Sequence, residues 1–147
     1  MKNKILIGVF VFVTGISSAF ANGHEEVNQR VVNAFQKEFA GAQNVEWVTS
    51  KEFVKATFTL NEQVVYAYYG QDGRLLGVTR NIVSGQLPIN LLTDLKKNYN
   101  NYWITDLFEM ATNNENGYYV TRENSDYKVV LKSIGTNGWD VFSKEKK

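Results

Sequence analysis

The chain has 147 residues, with 16 basic and 15 acidic side chains, one histidine and no cysteine. That is the length of one domain. Nearly balanced charge gives no electrostatic case for nucleic acid or an anionic membrane as partner, and the missing thiols exclude disulfides and cysteine nucleophiles.

The first residues read as an address. Lys2 and Lys4 precede an apolar run from Ile5 to Val13, and Ala19-Phe20-Ala21 forms a small-x-small cleavage signal. This is the pattern of a secretory signal peptide over residues 1–21; a signal anchor is the competing reading. The run is too short to span a bilayer, no second apolar stretch follows, and no cysteine near the cut offers a lipid anchor. Residues 22–147 would remain, with fourteen basic and fifteen acidic side chains and a net charge of −1. A periplasmic or secreted domain is expected, with no membrane insertion after cleavage and a fold held by its core alone.

In chain order, Glu25 to Phe39 predicts a helix, because Val27, Val31, Phe35 and Phe39 recur at i+4 against a polar opposite side. Strands are predicted at Val45–Thr49, Phe53–Leu60, Gln63–Tyr69 and Leu75–Ile82. A two-residue turn at Asn61-Glu62 would pair Phe58 with Val65 and Ala56 with Ala67. A four-residue turn over Gly70–Gly73 would then pair Ala67 with Leu76 and Val65 with Val78. That register turns Val54, Ala56, Phe58, Val65, Ala67, Leu76 and Val78 inward, and Val64, Tyr66, Tyr68 and Leu75 outward beside Lys55, Thr57 and Thr59. Pro88 to Tyr99 predicts a second helix, with Leu91, Leu92, Leu95 and Tyr99 as its stripe. Strands follow at Trp103–Ala111, Tyr118–Glu123, Tyr127–Ile134 and Trp139–Ser143, with turns at Asn116-Gly117 and Asn137-Gly138 and a charged, frayed tail from Lys144.

The order repeats. Val31, Val32, Phe35 and Phe39 match Leu91, Leu92, Leu95 and Tyr99 at an offset of 60; Phe53, Gly70 and Gly73 match Tyr118, Gly135 and Gly138 at an offset of 65. The expected fold is α+β: two tandem helix-plus-four-strand units, about residues 25–83 and 87–143, sharing one core, with the helices packed on one face of a mainly antiparallel sheet. Lys132 falls where the first unit has inward Ala67, which calls for a one-residue shift of that strand.

A resemblance joins this reading. Val31, Ala34, Phe35 and Phe39 with the Ala40-Gly41-Ala42 turn, then Val45 and Trp47, an aromatic-A-x-F strand, then Tyr69, Gly73 and Leu75, then Leu87-Pro88, together resemble the PepSY-like, β-lactamase-inhibitor-like exported proteins of Bacteroidetes. Ala40 departs from the proline usual in that family. The resemblance covers most of residues 22–147. It implies tandem helix-plus-sheet units, and it implies binding of a protein or peptide through an open sheet face, as the β-lactamase inhibitor binds an enzyme. It carries over no functional residue.

The residues themselves offer no catalytic constellation. His24 is the one histidine. The carboxylate pairs Asp106 with Glu109 and Glu123 with Asp126 fall in turn or strand-edge contexts, where solvated charge is the ordinary reading. Asp72 and Asn137, each beside a glycine, read as turn chemistry. No catalytic residue, cofactor or metal ligand in the folded part is expected. The sequence therefore predicts a non-enzymatic binding module, inhibitor-like, for an unidentified protein or peptide of the cell envelope. Its candidate binding residues are Tyr66, Tyr68 and Leu75, with Trp47, on the sheet face the helices leave open. The competing reading of the tyrosines is cross-strand packing. The alternative function is an envelope metal-binding or stress-response protein: cleavage after Ala21 would leave Asn22-Gly23-His24, whose nitrogens suit square-planar Cu(II) or Ni(II).

Overall fold

The computed structural model describes residues 26–147; residues 1–21, read above as a signal peptide, and the Asn22-Gly23-His24 segment lie outside them. Helix α1 spans Gln29–Glu38 and is followed by strands β1 (Gln43–Thr49), β2 (Val54–Leu60), β3 (Gln63–Tyr69) and β4 (Leu75–Asn81). A short 3-10 turn at Ser84–Gln86 leads to helix α2 (Ile89–Asn98). Strands β5 (Trp103–Ala111), β6 (Asn116–Glu123), β7 (Tyr127–Ile134) and β8 (Asp140–Lys146) complete the chain. The eight strands form one sheet in sequence order, β1 to β8, and each neighbouring pair is antiparallel.

Helix α1 starts four residues later than its apolar stripe suggests. Asn28 is the cap: its side-chain oxygen accepts the Arg30 backbone N–H at 2.9 Å, which satisfies an amide the first turn would otherwise leave open. The stripe is as expected. Val31 and Phe35 pack on Val54, Ala56, Phe58, Val65, Ala67 and Tyr69. Phe35 meets the rings of Phe58 and Trp47 edge-on, with centroids 4.9 and 5.1 Å apart. Helix α2 sets Leu95 on Leu107, Val120, Val129 and Leu131. The ladder shows that both helices cover the same face: Ala67 opposes Val78, Val78 opposes Ala111, and Leu107, on the same side of β5 as Ala111, opposes Val120.

The turn at Asn61-Glu62 and its register are as predicted, with Ala56 opposite Ala67 and Phe58 opposite Val65. Both turn residues have positive φ, 49° and 64°, as a two-residue hairpin turn of the favoured hand requires. The β3–β4 register differs from expectation. Ala67 opposes Val78 rather than Leu76, and the ladder slips between Tyr68 and Tyr69, so that Tyr68 opposes Gly77 while Tyr69 opposes Leu75. This bulge reverses the facing of its neighbours, and Leu75, not Leu76, packs on the α1 cluster. Gly73 is fixed at this hairpin by φ +86° and by the Arg30 carbonyl of α1, which would lie 2.9 Å from a Cβ here. Asp72 does the turn chemistry foreseen, accepting the Arg74 N–H at 3.1 Å.

Two expectations in the second half need correction, and a third is met. Asn116-Gly117 is not the turn. The reversal is at residues 112–115, where the Thr112 N–H donates to the Glu115 carbonyl. Gly117 lies inside β6, where a Cβ would sit 2.3 Å from the Ser133 carbonyl. The charged tail is not frayed: residues up to Lys146 form β8, and Lys147 closes an ion pair to Glu123 at 2.7 Å. In β7 the buried inward residue is Leu131, while Lys132 faces Tyr119 on the other side. The one-residue shift anticipated at Lys132 is therefore present.

Candidate functional site

The face away from the helices is read directly from the ladder. On β2 and β3 it carries Lys55, Thr57, Tyr66 and Tyr68; on β4 and β5, Thr79, Asn81, Phe108 and Asp106; on β6 and β7, Tyr119, Thr121, Glu123, Lys128 and Lys132. Right-handed twist makes such a sheet saddle-shaped, and this face holds a concavity of about 480 Å³ running from Lys55 on β2 to Lys128 on β7. Tyr66, Tyr68 and Phe108 form its aromatic lining, Thr79, Asn81, Thr105 and Thr121 its neutral polar lining, and Asp106 and Glu123 its acids.

The sequence-predicted residues divide. Tyr66 and Tyr68 are on this face and both line the concavity. Tyr68 does not project from it. It is 3 % exposed, hydrogen-bonds with the Thr79 side chain, and meets the Phe53 ring edge-on at 5.6 Å. Burial, partly offset by that hydrogen bond, pushes its hydroxyl up to about 12, so it stays neutral. Tyr66 is the more open of the two. Trp47 and Leu75 are on the opposite face. Trp47 opposes Ala56 and packs on Phe35, because β1 pairs with β2 in the phase that points its centre at α1; Leu75 is turned to the same cluster by the β3–β4 bulge. The open-face placement expected for these two is corrected on that ground.

Lys55 holds its ammonium 4.7 Å from the centroid of the Tyr66 ring and 5.9 Å from that of Tyr68. Burial lowers its pKa. A second aromatic group stands across the face. Phe108 and Tyr119 stack with centroids 5.1 Å apart and planes 7° apart, Phe142 abuts Tyr119 at 5.7 Å, and Lys132 lies 5.5 Å from the Tyr119 ring while bridging to Glu115 at 2.7 Å. Sequence reasoning missed this group; the alternation of Phe108 and Tyr119 with inward Leu107 and Val120 was the available signal.

Of the carboxylates that sequence spacing pairs, Asp106 and Glu109 are held on opposite faces of β5. Asp106 is on the open face, while Glu109 opposes and bridges Arg80 at 2.7 Å. Glu123 is held by Lys147 and by the Thr105 hydroxyl at 3.1 Å, and the Lys147 contact keeps its pKa low. Asp106 has its pKa raised by burial, against a smaller opposing pull from the Leu107 N–H and from Lys128. No group of three or more His, Cys, Asp or Glu that could hold a metal occurs among the described residues. The open face thus brings together aromatic rings, neutral hydroxyls and amides, and a few charges of both signs.

No family model matches this chain, and no curated protein matches it. Solved structures do. A BLIP-like protein from Bacteroides fragilis superposes with a TM-score of 0.71 at 20% identity, covering 84% of this chain and 89% of that one. A DUF2874 family protein from Bacteroides ovatus gives 0.73 at 12% identity, over 83% and 89% of the two chains. A protein from Bacteroides eggerthii, named for a conjectured periplasmic location, gives 0.71 at 10% identity, over 82% and 89%. The chain shares their fold.

Proposed function

We propose that this chain is an exported, non-enzymatic binding module, inhibitor-like in mode, that engages a protein or peptide through the open face of its sheet. The observation that carries the reading is the concavity of that face, lined by Tyr66, Tyr68 and Phe108 and left free by both helices. Aromatic side chains held rigid by cross-strand packing lose little entropy when a partner covers them, which makes them efficient anchors. Tyr66, the more open of the two tyrosines, is the anchor, and buried Tyr68 stands beside it on the same strand. The BLIP-like and conjecturally periplasmic neighbours support both the mode and the location, and the apolar leader of residues 1–21 supports export. We read the two helix-plus-four-strand units as tandem copies of one PepSY-like design, each contributing one aromatic group to the shared face.

The test is site-specific photocross-linking in native envelope extract. A photoreactive residue replaces Val64, which is 51 % exposed on the open face, or Ile89 on α2, which is 77 % exposed. A discrete protein adduct is expected from position 64 and not from position 89, and Tyr66→Ala should abolish it. Equal adducts from both positions, or none from position 64, overturn the reading.

A further inference from the structure

Resting on that reading, we infer that the partner inserts a cationic side chain, arginine before lysine, into the concavity and pairs it with Asp106. Asp106 differs from the other acids near this face. Glu123 is already paired with Lys147 and bonded by Thr105, and Glu115 is paired with Lys132. The Asp106 carboxylate takes the Leu107 backbone N–H and has no cation within 4.0 Å among the described residues. Lys128 acts on it only through space, while Lys55 is engaged over two tyrosine rings three strands away, about 14 Å at the usual strand spacing.

The consequence is electrostatic. Asp106 is already half withdrawn from water, and burial raises its pKa. A partner that closes the concavity removes the remaining water. A carboxylate desolvated without a cation is strongly unfavourable, whereas one given a hydrogen-bonded cation is compensated. The walls favour the same guest. Phe108 is two residues, about 7 Å, along β5 from Asp106 on the same face, and its ring plane is fixed by the stack on Tyr119. A guanidinium bonds a carboxylate with its edge and stacks on a ring with its face, and it is less strongly hydrated than an ammonium. The cavity's volume also falls in the range that encloses a small ligand or one long side chain.

The probe is n-butylguanidinium, titrated into the purified, ¹⁵N-labelled protein and followed by amide chemical shifts, with n-butylammonium and n-butyrate run in parallel. The amides of Asp106, Leu107, Phe108 and Thr121 should shift saturably with the guanidinium and less with the ammonium. Asp106→Asn, whose folding is checked by its own amide spectrum, should weaken the guanidinium by about tenfold or more. The inference is overturned if guanidinium moves no amide on this face, if Asp106→Asn binds it as well, or if butyrate occupies the site more tightly. A cross-linked partner at position 64 alongside any of these results would leave the binding module standing and remove only the cationic guest; absence of that partner removes the module.

Discussion

Arg122 is the most exacting test of how the second helix is held. It is 7 % exposed, yet no carboxylate pairs with it among the described residues. Its guanidinium instead donates to two backbone carbonyls, Leu95 at 3.1 Å and Tyr102, and lies 5.9 Å from the Tyr99 ring. Leu95 is in the last turns of α2, so the cation sits where the helix dipole favours it. Two charge-assisted bonds contribute about 1.5–3 kcal/mol each, and the dipole about 0.3–2 kcal/mol. Against this stand the desolvation of the cation and a buried Nε with no partner, the latter costing about 1–3 kcal/mol. The Leu95 carbonyl keeps one bond without the arginine, from the Tyr99 N–H at 3.0 Å. Arg122→Met, similar in length and apolar, should therefore cost about 2 kcal/mol, not the full value of the lost bonds. At roughly 4 °C per kcal/mol for a domain of this size, Tm should fall by about 8 °C. Arg122→Lys should fall between, since one ammonium cannot span both carbonyls. Urea unfolding followed by tryptophan fluorescence gives the free energy, because Trp139 donates from its indole to the Leu91 carbonyl of α2 at 3.0 Å and reports that helix. If Arg122→Met proves as stable as the parent within about 0.5 kcal/mol, or more stable, the bonds do not exceed the burial cost and the reasoning fails.

Two further predictions concern the open face and the first hairpin. Asp106 has a folded pKa above its unfolded value, so its ionised form weakens the fold above the folded pKa, and that penalty is relieved as pH falls through it. Asp106→Asn should then melt higher than the parent at pH 7, with the gap closing as the pH is taken down to about 4; a gap that is absent or independent of pH contradicts the assignment. Glu62 holds φ 64° at the second position of a turn that favours glycine there. Glu62→Gly should add about 0.5–1 kcal/mol by relieving left-handed strain, measured as a shift in the urea midpoint at constant slope, and a loss of stability would show that the residue is not strained.

Much of the architecture could be read before the structure. Recurrence of Val31 and Phe35, and of Leu91 and Leu95, marked two one-faced helices, and strict alternation in Phe53–Leu60 with a two-residue turn determined the β2–β3 register. The losses came where facing depends on tertiary contact. Nothing local distinguishes Leu75 from Leu76; the bulge that selects Leu75 forms where the hairpin closes under the Arg30 carbonyl. Trp47 follows the phase of its pairing with Ala56, which no pattern within β1 states. The tail Lys144–Lys147 lacks strand-forming side chains, and is held by Lys144 over the Tyr127 ring at 4.3 Å and by Lys147 on Glu123. The candidate site was half legible for the same reason. Tyr66 and Tyr68 announce themselves in one strand, whereas Asp106 and Phe108 gain meaning only when β5 is laid beside β4.

The unbroken sequence order of the strands bears on how the chain reaches this state. Each strand after β1 pairs with the one made just before it, and one excursion, through α2 between β4 and β5, separates partners by more than a short loop. Closing such loops loses little entropy, because the penalty grows only with the logarithm of loop length. Ladders of this kind have low contact order for a sheet protein and so belong to the faster folders of their class. A chain that emerges from one end can register β1 to β4 under α1 before β5 exists. Assembly then proceeds like a zipper, with no thiol to oxidise and no distant segment to await.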